Sequence, residues 1–563
     1  MTSNFMSLLD TEPIPLSGRF AKIKRNLIAG HEKAVADSFY RLLLQLRKEA
    51  DHIAAYGLDI IPTIDYLDIH NPVIVSAFKQ ALKKRGVAVV RRVVPPNVAQ
   101  SWKEETLDYL RHNPHTKGVP PHDPQLFELY WSPGQVRARA DSRVLEAQRF
   151  AMSVWHSSRE DALVSSRYPV VYADRLRMRI PGDTALATGP HLDGGSVERW
   201  EPDGYGRSGT YAKIFEGRWE EYDPWDSSTR LGMTSDLYNG AGSCSVFRMF
   251  QGWVSLSSIV PGSGSLLACP MLQLTTAYLL LRPFFSPRRP LLSSPSSSSS
   301  GAAEFLHENN WSLHVAQTSV LHGAVPGYIQ ELTTVLHPHL RLDRTMIPIP
   351  RVEPGDYVLW HPDTVHATDR VHLGAGTGRV AGSASIPAGD ASVLYIPACP
   401  LTQTNALYLA RQRRAFLRGL PAPDFERADY GGGDSGRNGR GRDIGRGGSE
   451  AGAAAGEGEH TGRPGVQEVS DAGGESGLRS MGLLPWDERS VGEEGFGFEE
   501  SYSGGGGSSS NDSSNNSRGG SKGNARREKT ERDLIRLANG ILFPDRFDAL
   551  YRRGMGKGGG KRL

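Results

Sequence analysis

The chain has 563 residues, a length that suits two or three domains. Hydrophobic residues make up 38% and charged residues 23%, so we expect only part of the chain to form a hydrophobic core. A formal net charge of +3 argues against a protein that binds nucleic acid or membranes through its overall charge. The three cysteines are far apart and odd in number, which argues against a disulfide framework or a zinc ribbon and favours a reducing compartment.

The sequence gives no sign of a targeting or membrane segment. Its start lacks the charged residues and apolar run of a signal peptide. The most apolar stretch, residues 266–281, is short for a membrane span and contains Pro270, so we interpret it as a buried strand followed by a helix. We therefore expect a cytoplasmic protein that makes no contact with a membrane.

Residues 1–165 are expected to form a mostly helical region that packs on the rest of the protein. Gly86 is typical of a helix end, and the valine-rich run 87–94 is typical of a short strand. An amphipathic helix follows, with Asn97 as its predicted cap, and a second one is expected to start near Asp141.

Residues 166–425 contain short strand patterns between Gly/Pro turns, which predicts a β-rich core. Arg175, Arg177 and Arg179 alternate with apolar residues, and this two-residue period indicates a strand. The arginine stripe would face either solvent or the mouth of the core. A flexible Ser-rich insertion is expected near 290–303.

Gly, Ser, Asn and charged residues dominate 430–530, which predicts a disordered segment. Within it, 478–488 is an apolar island that could dock on the folded part, and 435–448 resembles the Gly/Arg tracts that bind RNA. Because this tract lacks aromatic residues between its arginines, we favour a plain insertion and do not expect nucleic acid as a partner. Residues 531–563 regain a helical pattern and end in a basic tail.

A candidate metal-binding pair lies in the stretch GPHLDGG, where His191 and Asp193 stand two residues apart between glycines. On a strand, residues i and i+2 point to one side, so the imidazole and the carboxylate would face the same space. Two histidines and one carboxylate are the ligand set of non-haem Fe(II) oxygenases, which keep coordination positions open. The pair could therefore supply two of three iron ligands; the alternative is a polar turn with a capping aspartate.

The stretch GDYVLWHPDTVHATD offers the missing histidine, at His361 or His366. The two are five residues apart, so on a continuous strand they would face opposite ways. We favour His366, because it follows a turn at Pro362 and Asp363 and begins a new strand.

Five stretches, in order between about residues 50 and 425, resemble the signature blocks of the domain-of-unknown-function family numbered 1479. They are GPHLDGGSVERWEPDGY, FQGWVSLSSIVPGSG, AYLLLRPFF, GDYVLWHPDTVHA and LYIPACP. That family is related to the phytanoyl-CoA-hydroxylase-like branch of the Fe(II)/2-oxoglutarate dioxygenases. The resemblance implies a mainly β protein with flanking helices (α+β) around a double-stranded β-helix core, a cupin-like jelly roll.

The resemblance also implies that His191, Asp193 and His366 are the metal ligands and the catalytic centre. The metal would be Fe(II), with 2-oxoglutarate as cosubstrate and O2 as oxidant. Related enzymes hold the far carboxylate of 2-oxoglutarate with an arginine, because a guanidinium group fits a carboxylate with two hydrogen bonds. Arg379, which follows the second histidine, is the favoured candidate for this anchor. The other candidates are Arg370, Arg177, Arg179, Ser392 and Tyr395.

The leading hypothesis is thus an oxidoreductase, an Fe(II)- and 2-oxoglutarate-dependent dioxygenase that hydroxylates a small molecule. The alternative is a non-catalytic metal- or ligand-binding jelly-roll protein that uses the same pocket for recognition. The two differ in turnover, because only the enzyme would release succinate from 2-oxoglutarate when Fe(II) is supplied.

Overall fold

The structure is a computed structural model and describes residues 13–183, 187–238, 240, 244–289, 299–370, 372, 389–425, 457–491 and 517–546. Arg379, the Gly/Arg tract 435–448, the basic tail and most of the insertion predicted near 290–303 lie outside these residues.

The described helices are α1 Arg19–Ile28, α2 Glu32–Tyr56, α3 Pro72–Arg85, α4 Pro96–His112, α5 Pro133–Ala140, α6 Ser142–Met152, α7 Ala212–Phe215, α8 Leu272–Leu281, α9 Ser299–Leu306, α10 Leu342–Thr345, α11 Gln403–Arg418, α12 Val466–Ser480 and α13 Ser517–Leu542.

The described strands are β1 Thr63–Asp65, β2 Val87–Arg91, β3 Gly118–Val119, β4 Leu126–Phe127, β5 Val164–Val170, β6 Leu176–Arg179, β7 His191–Leu192, β8 Gln251–Ser255, β9 Leu266–Ala268, β10 Phe285–Pro287, β11 Trp311–Leu313, β12 Gln330–Glu331, β13 Ile347–Pro348, β14 Tyr357–Trp360, β15 His366–Thr368, β16 Ala391–Tyr395 and β17 Cys399–Thr402.

The larger sheet has eight strands in the order β1-β2-β14-β8-β16-β6-β4-β3. β1 and β2 run parallel, and the other neighbours are antiparallel. At the centre, Tyr357 on β14 lies opposite Val90 on β2 and Val254 on β8. Branched and aromatic side chains suit these positions because they pack well on a pleated surface.

The helix side of the larger sheet forms one hydrophobic core. Tyr357 and Val254 are buried there in a cluster with Phe78 of α3 and Phe150 of α6. The neighbouring residues on the same strands belong to a different cluster, since successive side chains of a strand point to opposite faces.

The other side of the larger sheet shares its core with a smaller sheet. Trp253 and Val358 lie in one cluster with Leu266 and Ala268 of β9. The smaller sheet has five antiparallel strands in the order β12-β7-β15-β9-β13. Two further pairs, β10 with β11 and β17 with β5, are separate ladders.

The fold is therefore a mixed α+β fold of sheets flanked by many helices, which confirms the predicted α+β class. The predicted mainly β character was wrong, because more of the described residues lie in helices than in strands. Neither sheet closes into a barrel within the part of the chain that the structure describes.

The carboxyl-terminal part of the chain differs from the prediction. Residues 457–491 fall inside the predicted disordered segment 430–530, yet they contain α12, which packs on α5 and α6. Met481 and Trp486, from the apolar island, are buried, as is Leu534 of α13. The apolar island thus docks on the folded part, as its composition allowed, and α12 orders beside it because a few apolar side chains pack on the neighbouring helices.

Local predictions near the first helices had mixed outcomes. Gly86 ends α3 with a left-handed φ of 73°, and β2 follows it as predicted. Asp141 caps α6 by accepting a hydrogen bond from the Val144 N–H. The cap predicted at Asn97 was wrong: α4 begins at Pro96, and its cap position is Pro95, two residues before Asn97. Pro96 has no N–H to leave unpaired in the first turn.

Residues 266–281 form β9 and α8, which confirms the predicted strand followed by a helix. Among the residues that the structure describes, no helix is both long enough and apolar enough to cross a membrane.

Candidate metal centre

His191 and Asp193 lie at the end of a very short strand of the smaller sheet. His191 belongs to β7, and Asp193 follows the strand directly. Gly194 and Gly195 then turn the chain with φ values of 76° and 89°, a conformation that other residues rarely adopt. A Cβ atom on Gly195 would lie 2.6 Å from the Ser235 carbonyl oxygen, so this turn requires glycine.

His366 reaches the same place from β15, the neighbour of β7. It is the direct cross-strand partner of His191, and the two ring centroids are 4.3 Å apart. His361, the alternative, is fully buried elsewhere and bonds through Nε2 to the Pro224 carbonyl oxygen at 3.0 Å. The structure therefore brings His366, and not His361, to His191 and Asp193.

The three side chains converge on one point. His366 Nε2 lies 3.3 Å from Asp193 Oδ2, and His191 Nε2 lies 3.7 Å from Asp193 Oδ1. One ligand atom from each residue can be chosen so that all three lie within 4.8 Å of one another. This His-Asp-His group could hold a metal ion.

Hydrogen bonds orient both imidazoles for ligation. His191 Nδ1 lies 2.7 Å from the Gly189 carbonyl oxygen, and His366 Nδ1 lies 3.0 Å from the Thr364 carbonyl oxygen. A carbonyl oxygen only accepts hydrogen bonds, so each Nδ1 carries a proton, and Nε2 is the nitrogen left to bind a metal. Such a backbone bond is the usual support of a histidine metal ligand.

The electrostatics of the group favour the protonation states that a metal needs. Burial lowers the pKa of His191 to about 4, and the charges of His366 and Arg177 act in the same direction. Burial alone would raise the pKa of Asp193, but the His366 hydrogen bond and the nearby positive charges hold it well below its usual range. These shifts favour a neutral His191 imidazole and an ionised Asp193 carboxylate. The Asp193 side chain remains 29% exposed, so the centre is accessible on its carboxylate side.

Two members of the predicted arginine stripe, Arg177 and Arg179, lie on the face of the larger sheet that shares its core with the smaller sheet, and they differ in their bonds. Arg177 and Arg179 pair with Val393 and Ala391 on β16, whose side chains belong to the core between the sheets. The Arg177 guanidinium donates to the Tyr395 hydroxyl at 3.3 Å. The solvent-facing alternative for these arginines was therefore wrong.

Arg179 is committed to structural bonds. Its guanidinium is 1% exposed, donates to the Asp183 carboxylate at 2.9 Å, and donates to the Asp183 and Asp369 carbonyl oxygens, both at 3.0 Å. All three of its nitrogens already donate hydrogen bonds, so Arg179 cannot offer a pair of donors to a ligand carboxylate. Its predicted role as an anchor for 2-oxoglutarate is therefore corrected.

Of the remaining residues predicted to anchor 2-oxoglutarate, one points away from the metal centre, one is exposed and one lies outside the described residues. Ser392 pairs with Met178, whose side chain lies in the helix-side core, and its hydroxyl donates to the Asp390 carboxylate. Since alternate residues of a strand face opposite ways, Ser392 points away from the metal centre, and its prediction is corrected. Arg370 is exposed, and Arg379 lies outside the described residues.

Sequence reasoning missed two features close to the centre. Arg248 carries a positive charge that acts on the Asp193 carboxylate. Arg199 and Asp363 form a buried ion pair of 2.8 Å beside the two metal-ligand segments. Both residues of this pair lie in the two motifs that were predicted to meet at the metal, but nothing in the sequence indicated that these two side chains pair.

Comparison with known proteins gives one family over most of the chain. A model of a family described as Gig2-like matches residues 14–483. The protein YbiU of Escherichia coli (strain K12) is 29% identical to this chain over 446 residues, which cover 76% of this chain and 94% of YbiU.

Solved structures with the same fold come from a yeast and from bacteria. GlcNAc Inducible Gene 2, GIG2 (DUF1479), from Candida albicans matches with a TM-score of 0.70 and 26% identity, over 97% of this chain and 99% of its own. The hypothetical protein JW0805 from Escherichia coli, at high pH, has a TM-score of 0.63 and 27% identity, over 86% and 100%. A protein from Salmonella typhimurium LT2, named as a candidate oxidoreductase, has a TM-score of 0.61 and 27% identity, over 84% and 99%.

Proposed function

Since this chain belongs to the Gig2-like family, and since three of its side chains converge on one metal position, we propose that it is an Fe(II)- and 2-oxoglutarate-dependent dioxygenase. It would hydroxylate a small molecule and belong with the phytanoyl-CoA-hydroxylase-like branch of these enzymes. The two facing sheets would then be the halves of a double-stranded β-helix. We place the enzyme in the cytoplasm.

The observation that carries the proposal is the geometry of His191, Asp193 and His366. Two imidazoles that can ligate through Nε2 and one carboxylate form the ligand set of non-haem Fe(II) oxygenases. A structural zinc site would be closed by four protein ligands, whereas this group provides three and stays open on one side.

The face of the larger sheet that shares its core with the smaller sheet offers an anchor for 2-oxoglutarate. Arg177 lies close enough to His191 for its charge to act on the imidazole, and its hydrogen bond to Tyr395 fixes one end of the guanidinium. A guanidinium beside a phenol suits a carboxylate held by several donors. Arg248 adds a second positive charge near Asp193, so the pocket suits anionic ligands.

Bound Fe(II) would supply the oxidation: 2-oxoglutarate, O2 and substrate R–H yield succinate, CO2 and R–OH. The residues of the chain would hold the metal, orient the cosubstrate and keep part of the coordination sphere accessible. His191 and His366 would ligate the metal through Nε2, because each Nδ1–H is held by a backbone carbonyl.

The test is to add Fe(II) and 2-oxoglutarate to the full chain without O2, record the visible absorption, and then measure succinate release after O2 and ascorbate are added. We expect a charge-transfer band and succinate. His191→Ala should reduce both to background. His112→Ala, whose side chain is 63% exposed on α4, is the control and should behave like the natural chain.

Two outcomes would count against the proposal. If iron is retained but neither the band nor succinate forms, the chain is a non-catalytic metal-binding protein. If His191→Ala releases as much succinate as the natural chain, the metal centre lies elsewhere.

A further inference from the structure

One buried carboxylate next to the metal centre gathers four donors. Asp363 accepts hydrogen bonds from Arg199 at 2.8 Å, Arg230 at 2.6 Å, Tyr211 at 3.1 Å and Tyr222 at 3.2 Å. The charged side chains of this cluster are at most 3% exposed. Burial alone would favour a neutral Asp363, but the two guanidinium groups hold its pKa well below its usual range.

The cluster reaches the first metal-ligand segment through Arg199. One nitrogen of its guanidinium, Nη1, donates to Asp363, and the other, Nη2, donates to the main-chain carbonyl of Asp193 at 2.9 Å. The flat fork of arginine allows both bonds at once. Arg199 therefore ties the backbone of a metal ligand to the Asp363 carboxylate.

The cluster reaches the second metal-ligand segment through the chain itself. Asp363 N–H donates to His361 Nδ1 at 3.0 Å, and Thr364 N–H donates to the His361 carbonyl at 2.9 Å, which fixes the turn. Thr364 then offers the carbonyl oxygen that orients the His366 imidazole. Asp363 thus precedes the residue that supports His366, and the bonds to its carboxylate hold the same turn.

Stability alone does not explain this cluster well, because burying its charged groups costs desolvation free energy. Two arginines share one carboxylate, and Arg230 Nε and Nη1 have no hydrogen-bond partner among the described residues although they are buried. Buried ion pairs contribute little net stability because desolvation offsets their attraction, and a well-packed apolar group often serves as well. A role in holding a specific geometry accounts better for such a cluster.

We propose that Asp363 and Arg199 are positioning residues for the metal centre, which hold the segment of Asp193 and the segment of His366 in fixed relation. This inference rests on the proposed function, because it concerns the same metal position.

The test is a titration of the full chain with Co(II), whose visible spectrum reports the number and arrangement of its ligands. Asp363→Asn keeps the shape of the side chain and removes its charge. We expect the Co(II) dissociation constant to rise about 10- to 100-fold, the range found when groups supporting metal ligands are replaced, and the visible bands to shift. Arg199→Lys should act in the same direction, since an ammonium group lacks the fork. Tyr211→Phe, which removes one donor of four, should have a smaller effect.

The matched control is Asp356→Asn. Asp356 is also buried, pairs with Arg91 at 2.9 Å, and precedes β14 at the end opposite to Asp363. This variant should bind Co(II) with unchanged affinity and spectrum, even if its thermal stability falls. Circular dichroism would establish that each variant is folded; if Asp363→Asn does not fold, Arg199→Lys and Tyr211→Phe decide.

The inference is overturned if folded Asp363→Asn and Arg199→Lys chains bind Co(II) as tightly as the natural chain, with the same spectrum. A natural chain that binds no Co(II) would instead overturn the proposed function, so the two failures can be told apart.

Discussion

Arg177 and Arg179 lie two residues apart on β6, and their bonds predict opposite effects of substitution. Arg177 donates to Tyr395 beside the metal centre, whereas Arg179 is fully used by Asp183 and its surroundings. We expect Arg177→Met to weaken 2-oxoglutarate binding about 10- to 100-fold, as expected for loss of a charged hydrogen bond of about 1.5–3 kcal/mol, without loss of iron. Arg179→Met should leave that affinity unchanged and lower the melting temperature. A calorimetric 2-oxoglutarate titration of the Fe(II)-loaded variants would check this, and equal effects of both would contradict it.

Among single residues, only those site residues that belong to a short sequence pattern could be predicted. His191 and Asp193 stand out because two ligands two apart share one face of a strand. His366 could be preferred over His361 because a turn separates them. The pairing of Arg199 with Asp363 could not be predicted, because it joins residues 164 apart in sequence through a contact that only folding creates.

At the scale of elements, the segment 457–491 is joined to the fold by a buried carboxylate. Glu457 accepts hydrogen bonds from the Tyr130 N–H at 2.5 Å and the Trp131 N–H at 3.1 Å. Burial raises the pKa of Glu457 from 4.5 to about 7, although the two N–H groups oppose this. Between these pH values the folded chain keeps a proton that the unfolded chain has released. Stability therefore falls as the pH rises through this window.

Glu457→Gln should remove this pH dependence, because the amide keeps an oxygen for the two N–H groups and does not titrate. Relative to the natural chain, we expect the variant to gain up to about 3 kcal/mol between pH 4.5 and pH 8. Urea unfolding at several pH values would measure it. Glu475→Gln, whose side chain is 72% exposed on α12, is the control. Parallel pH profiles for the natural chain and Glu457→Gln would contradict the account.

The elements themselves were predictable where their pattern was regular. The stretch YVLW became β14, and 266–281 became β9 and α8. The order of the strands was not predictable, since β14 pairs with β2 and β8 from distant parts of the chain. The helix α12 was missed because its glycines and serines hide the few side chains, such as Val469, that anchor it.

At the scale of the whole molecule, the resemblance to the family numbered 1479 is confirmed by the Gig2-like match and the Candida albicans structure. The central claim is that folding brings His191, Asp193 and His366 together to hold one Fe(II) ion. The most direct measurement is X-ray absorption at the iron edge of the Fe(II)-loaded full chain, compared with His366→Ala. The account predicts scattering from two imidazoles in the natural chain and a clear loss of imidazole scattering in the variant. Iron without imidazole ligands, or an identical spectrum in both chains, would contradict it.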